Sequence, residues 1–297
     1  MGSDIILNWK RLDPEARWGF KTKKFTAVTN CASFLLGALF TLVFYGLLYP
    51  FHRLYNWQMI DMFFSGGQEH RSTIPYYTMF LAFWCLAILL IKAKKLKVQK
   101  LALGLRLIPD DSTYTLSPMN AADVISKIRE QVYRGEDFML TCRLECALGN
   151  LRNIGRISDM SSIFNSLADN DASYVENSYI LSRGLVWAIP ILGFIGTVLG
   201  LSQAVGGFGS VVASGADLNM LTNALGGVTN GLAVAFETTL IALVAALLLQ
   251  LCMTVIRQKE EDFLDECAAY CHMNVTSKLR MLDVRAEVAA EDSQPGI

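Results

Sequence analysis

Four stretches of the chain are apolar for long enough to cross a bilayer, which takes roughly 20 residues. They run from about Ala27 to Tyr49, from Ile74 to Ile91, from Leu185 to Val205 and from Val228 to Ile256, and Pro50 is expected to end the first. The longest polar interruption lies between the second and third. There Val124, Ile125 and Ile128, then Leu144, Leu148 and Leu151, recur at helical spacing, which predicts helices packed on one another. Turns are marked by Pro109-Asp110-Asp111-Ser112, Arg134-Gly135 and Gly155. Ser117 before Pro118 reads as a helix cap with proline at the first helical position, and Asp171 reads as the start of a further helix. Residues 258–283 read as a helical extension of the fourth span, and the last dozen residues as a disordered tail.

The fold class expected is therefore all-α, a polytopic membrane protein with four transmembrane helices and a cytoplasmic helical bundle. Residues 1–26 form a cytoplasmic N-terminal segment, 27–91 a first hairpin of spans, 92–183 the cytoplasmic helical domain, 184–257 a second hairpin, and 258–297 a cytoplasmic helix and tail. Composition agrees: 53% of the 297 residues are hydrophobic, and a mean hydropathy of +0.35 is too high for an ordinary soluble domain. The net charge of -1 conceals clusters. Lys21, Lys23 and Lys24 precede the first span, Lys92, Lys94, Lys95, Lys97 and Lys100 follow the second, and Arg257 and Lys259 follow the fourth. The connection from Gly206 to Gly227 holds no Lys or Arg, so the positive-inside bias puts it outside and both termini in the cytoplasm. Residues 51–73, with Trp57, Gly66 and Gly67, read as an interfacial connection. No removable signal peptide is expected.

Glu237 is the only acidic or basic residue in the body of the four spans, and a carboxylate there is a functional candidate by default. It lies two positions from Thr239, about 200 degrees around a helix, so the two do not face one pore together. Either an ion-path role or a hydrogen-bonding role at an interface suits it. Gly193, Thr197, Gly200 and Ala204 share one face of the third span, and Ala235, Thr239, Ala242 and Ala246 one face of the fourth. Each face is smooth and carries one hydroxyl. Measured from the basic residues at the inner ends, Thr197 and Thr239 stand about 21 and 27 Å up, near enough to share a level. Threonine in a membrane helix also bonds the carbonyl one turn back, and the glycines also let helices approach closely.

Seven cysteines are scattered along the chain, with Cys31, Cys85 and Cys252 in spans, and no disulfide is expected. Cys142 with Cys146, and Cys267 with Cys271 and His272, stand one turn apart, a spacing open to zinc ligation, but packing as small apolar groups is the reading adopted and no metal or cofactor is expected. No nucleophile elbow, phosphate loop or metalloprotease motif is present, so no enzyme is expected, and no nucleic-acid partner.

The third span, Pro190-x-x-Gly193-x-x-Gly196-Thr197-Val198-x-Gly200, and the fourth, Ala235-x-x-Thr238-Thr239-x-x-Ala242-Leu243, resemble the signature of the MotA/TolQ/ExbB proton-channel family. Four spans with a large insertion between the second and third is the MotA arrangement, while the helix motifs look closer to ExbB and TolQ. Ala242 stands where relatives usually have Gly, and Ala245-Ala246 replaces an Ile-Pro pair. The resemblance implies a homopentamer around a dimer of single-span ExbD/TolR/MotB-like subunits whose membrane Asp carries the proton, in the bilayer of the bacterial inner membrane. The ion path is expected to be lined by Thr197 and Thr239, with Thr238 assisting or bonding its own backbone, while Glu237 stands at a variable position of the family pattern, which gives it no role. Helix packing is expected through Pro190, Gly193, Gly196, Gly200 and Ala242, and H+ rather than Na+, which needs several oxygen ligands, as the ion. A self-sufficient channel or transporter using Glu237, and a non-conducting scaffold, are the alternatives.

Overall fold

A computed structural model describes residues 7–54, 58–64, 73–105, 107–109, 114–151, 157–215 and 217–279. In chain order its helices are α1 (Trp9–Leu12), α2 (Pro14–Arg17), α3 (Asn30–Leu54), α4 (Gln58–Asp61), α5 (Ile74–Leu103), α6 (Ala121–Gln131), α7 (Met139–Gly149), α8 (Ile157–Ser178), α9 (Ile180–Ala213) and α10 (Leu218–Asn274). The only strands among the described residues are β1 (Leu7–Asn8) and β2 (Val132–Tyr133), which pair in parallel. Two residues per strand carry no sequence signal. The chain is thus all-α, and four of its helices are long and apolar enough to cross a membrane. It gathers into two compact units, one apolar (residues 28–93 and 179–257) and one polar (residues 1–27, 94–178 and 258–297).

The apolar unit is built around α5. Half of the most apolar 18-residue window of α5 is buried, against 17% for α3 and 28% for the last two long helices. Gly37 of α3 makes close approach possible, because a Cβ there would lie 2.6 Å from the Trp84 Cα. The Trp84 indole donates to Ser33 Oγ at 3.2 Å. Pro50 does not end α3, as the sequence suggested, but sits inside it. The ring removes one backbone bond, and the following turn is held at His52, whose Nδ1 lies 2.8 Å from Asp61 Oδ1 and whose ring stacks on Phe64. Trp57, Gly66 and Gly67 lie outside the described residues. Most of the connection expected over 206–227 is helical. Helix α9 runs to Ala213 and α10 begins at Leu218, since the Val and Leu residues on both sides sustain the helix. The turn is made by Gly215 at φ +67, a conformation that suits glycine.

In the polar unit the apolar positions read from the sequence do face inward: Val124 and Ile128 of α6, Leu144 and Leu148 of α7, and Leu151 are buried. Helix α6 packs on α7, and α7 on α8. Two expected helix starts are corrected. Ser117 does not cap α6, because Asn120 folds back, accepting from the Ser117 amide at 2.7 Å and donating to the Thr115 carbonyl at 2.8 Å, so the helix begins at Ala121. Asp171 lies inside α8, where its Oδ2 accepts from Arg143 Nε at 2.5 Å. Gly155 and the last eighteen residues, 280–297, fall outside the described residues.

The basic run after the second span is only partly a solvated flank. Lys92 and Lys95 are fully buried. Lys95 Nζ lies 2.5 Å from Glu15 Oε2 and 3.6 Å from Asp13 Oδ2, and it donates to the Ala27 carbonyl at 2.8 Å. Burial pushes the Asp13 carboxyl up, with the Lys95 charge opposing. One turn on, Gln99 donates to the Asp137 carbonyl at 2.7 Å and accepts from the Met139 amide at 3.0 Å, satisfying an end of α7 that no side chain of its own caps. Lys92 Nζ stands 4.0 Å from the centroid of the Tyr179 ring.

Candidate ion path

Helices α9 and α10 meet through their smallest residues. A Cβ on Gly193 would lie 2.5 Å from the Ala242 Cβ, one on Gly196 would lie 2.7 Å from Thr238 Oγ1, and one on Gly200 would lie 3.2 Å from the Ala235 Cβ. From the other side, a Cβ on Gly231 would lie 2.6 Å from the Ala204 Cβ. As the numbers climb along α9 they fall along α10, so the pair is antiparallel. The helices approach as closely as glycine allows. Ala204 belongs to the face read from the sequence, whereas its partner Gly231 was left out although it is a small residue in the right register.

The two smooth faces are therefore turned on each other within one chain. The hydroxyls lie at the seam and beside it. Thr238 is buried and its Oγ1 donates to the Ala235 carbonyl at 2.8 Å. Thr239, half-buried, donates across to the Gly193 carbonyl at 3.0 Å. Thr197, half-buried on α9, donates to the Phe194 carbonyl at 2.6 Å. Glu237 is half-buried. Pro190 lies inside α9 and is half-buried as well. In a regular helix the Gly193 carbonyl is the acceptor for the Thr197 amide, so the Thr239 hydroxyl and Thr197 are tied to one peptide group.

This arrangement has a chemical consequence. A threonine hydroxyl has one proton and two lone pairs, and all three protons are committed to carbonyls. What remains is acceptor capacity. Half-buried oxygens of this kind can receive a hydrogen bond from water or from a protonated group, or sit against a cation, but they hold no charge of their own. Residues 157–268 match the MotA/TolQ/ExbB proton channel family. The match runs from the start of α8 through α9 and most of α10, so it contains the whole glycine seam and every candidate ion-path residue. It supports, over those residues, the resemblance carried by the two motifs, and with the four long apolar helices it marks the chain as a multi-pass membrane protein. No curated protein and no solved structure matches the chain.

Among the described residues no group of His, Cys, Asp or Glu is arranged to hold a metal ion. Sequence reasoning missed the buried lysines, yet the signal was present: Lys92, Lys95 and Gln99 recur at helical spacing on one face of α5.

Proposed function

We propose that this chain is the channel subunit of a rotary, proton-driven stator motor in the bacterial inner membrane. Five copies would surround a dimer of single-span partners of the MotB/ExbD/TolR type, with both termini of this chain in the cytoplasm. The observation that carries this reading is the state of the hydroxyls within the family-matched hairpin. Thr197 and Thr239 offer oxygens that accept and do not ionise. Such a lining suits a titrating carboxylate supplied from elsewhere: protonated, the acid passes as a neutral hydrogen-bond donor, and ionised it does not. The membrane potential adds about 2.3 kcal/mol per charge per 100 mV to drive each step. Proton is favoured over sodium, which needs several oxygen ligands at once. The exposed apolar side chains of α9 and α10, among them Trp187, Phe194, Phe236 and Leu240, suit contact with lipid and with neighbouring copies.

The test is the pair Thr197→Val and Thr239→Val, measured as proton flux with the partner present. Valine keeps the shape and removes the oxygen, so flux is expected to fall to background, while Thr→Ser at the same positions retains it. Full flux in the double valine variant refutes the site. Flux from this chain alone that Glu237→Gln abolishes overturns the division of labour between chain and partner.

A further inference from the structure

We propose that a cavity in the polar unit, formed by α7, α8 and the C-terminal end of α10, is a binding site for a phosphate-class oxyanion held by Arg143. Three observations converge on it. The Arg143 side chain is 3% exposed, and its Nε is satisfied by Asp171, but its Nη2 is buried without a hydrogen-bond partner. A buried guanidinium donor without an acceptor is an unfavourable state that an anion relieves, and the fork geometry leaves one edge for Asp171 and another for a ligand. The cavity that Arg143 lines measures about 60 Å³, several times the roughly 10–15 Å³ that holds one water, which leaves room for one small tetrahedral anion. Its remaining polar lining consists of Ser161, Asn165, His272 and Thr276, all able to donate, and no carboxylate lines it among the described residues.

The chemistry argues against a cation, which would face the free edge of a guanidinium whose one acid partner, Asp171, is not among the described lining residues. Asn165 and His272 are exposed, so the mouth opens to solvent while the Arg143 floor stays buried. Cys271, which also lines the cavity, is pushed up to about 12 by burial, so it presents a neutral thiol rather than a second negative charge. A bound oxyanion would accept from Arg143 Nη2 and from donors on α8, α10 and the turn at Thr276, tying the ends of these segments together.

The experiment is isothermal titration of the full chain, purified in detergent, with inorganic phosphate in one arm and short-chain phosphatidic acid in the other, at constant ionic strength. Two variants accompany it. Arg143→Gln removes the guanidinium, and Ala268→Leu fills the cavity while leaving the Arg143 pair with Asp171 in place. Saturable binding in either arm, weakened at least about tenfold by both variants, is the expected result, and the arm that binds identifies a free ion or a lipid headgroup as the source. No saturable binding in either arm, or binding that the cavity-filling variant leaves unchanged, overturns the proposal.

Discussion

Replacing Gly193 by alanine tests the helix seam most directly, because the structure says what the new methyl meets. An ideal Cβ at Gly193 stands 2.5 Å from the Ala242 Cβ and 3.3 Å from the Thr239 Cα. Carbon atoms are comfortable at about 3.5–4.0 Å, so α9 and α10 must separate by about 1 Å. Overpacking of this kind costs about 1–3 kcal/mol. Separation also lengthens the 3.0 Å bond from Thr239 Oγ1 to the Gly193 carbonyl, a loss of about 0.5–1.5 kcal/mol. Against these, alanine is the better helix former by about 1 kcal/mol. The net expectation is a destabilisation of about 0.5–3.5 kcal/mol, read from unfolding in mixed detergent. Ala242→Gly in the same chain removes the methyl that clashes and should return the double variant close to wild type, a coupling of at least about 1 kcal/mol. Gly184→Ala in the same helix, where a Cβ meets nothing within 4 Å, is the control and should be neutral or mildly stabilising. The reasoning is refuted if Gly193→Ala is no worse than the control, or if Ala242→Gly fails to rescue it.

Two further outcomes follow from buried groups in the polar unit. Burial holds the Asp13 carboxyl above its ordinary value of 3.8, so the folded chain keeps that proton to a higher pH than the unfolded chain. The folded state then binds more protons, and the Asp13 contribution to stability falls as pH rises through a window that opens at 3.8. Asp13→Asn lacks that fall, so denaturant unfolding across the window should show the stability difference moving in the variant's favour as pH rises. The thiols give a second readout. Cys267 and Cys271 are buried and pushed up to about 12, while Cys146 is exposed. At about pH 8 the two buried thiols should be ionised roughly a thousandfold less than ordinary ones, so alkylation followed by peptide mass spectrometry should find Cys146 modified first. Rapid modification of Cys271 in the folded chain would contradict the packing.

The four spans were legible because a bilayer demands long apolar runs whatever the tertiary contacts are, and the glycine seam was legible because close approach tolerates few residue types. What the sequence concealed was which neighbour each face meets. A stripe such as Gly193, Thr197, Gly200 reads equally well as a pore wall or as a packing surface. Only the fold shows that its glycines meet Ala242, Thr238 and Ala235 of the partner helix. Helix ends failed for a related reason. Ser117 and Asp171 have the chemistry of caps, but Asn120 and Arg143 claim their surroundings first, and both competitors act through contacts the local pattern does not carry.

The lysines that suggest the orientation of the chain have a second use in the fold, and the two uses can be separated. Positive-inside bias acts while spans are inserting, on basic residues that flank an apolar run. At that stage Lys95 has not met its partners. In the folded chain Lys95 is fully buried against Glu15 and Asp13, whereas Lys94 and Lys97 remain exposed. Lys95→Met should therefore leave orientation intact, as read by reporters fused to the C-terminus, because the rest of the basic run still flanks the span. Its effect should fall on stability. Removing the cation strands two carboxylates in a buried site, and breaking a buried pair from one side costs about 3–5 kcal/mol. Adding Glu15→Gln and Asp13→Asn to Lys95→Met neutralises the stranded acids and should recover part of that loss. A Lys95→Met chain as stable as wild type would mean that the buried triad contributes nothing, and a triple variant no more stable than the single would mean that charge is not what the site balances.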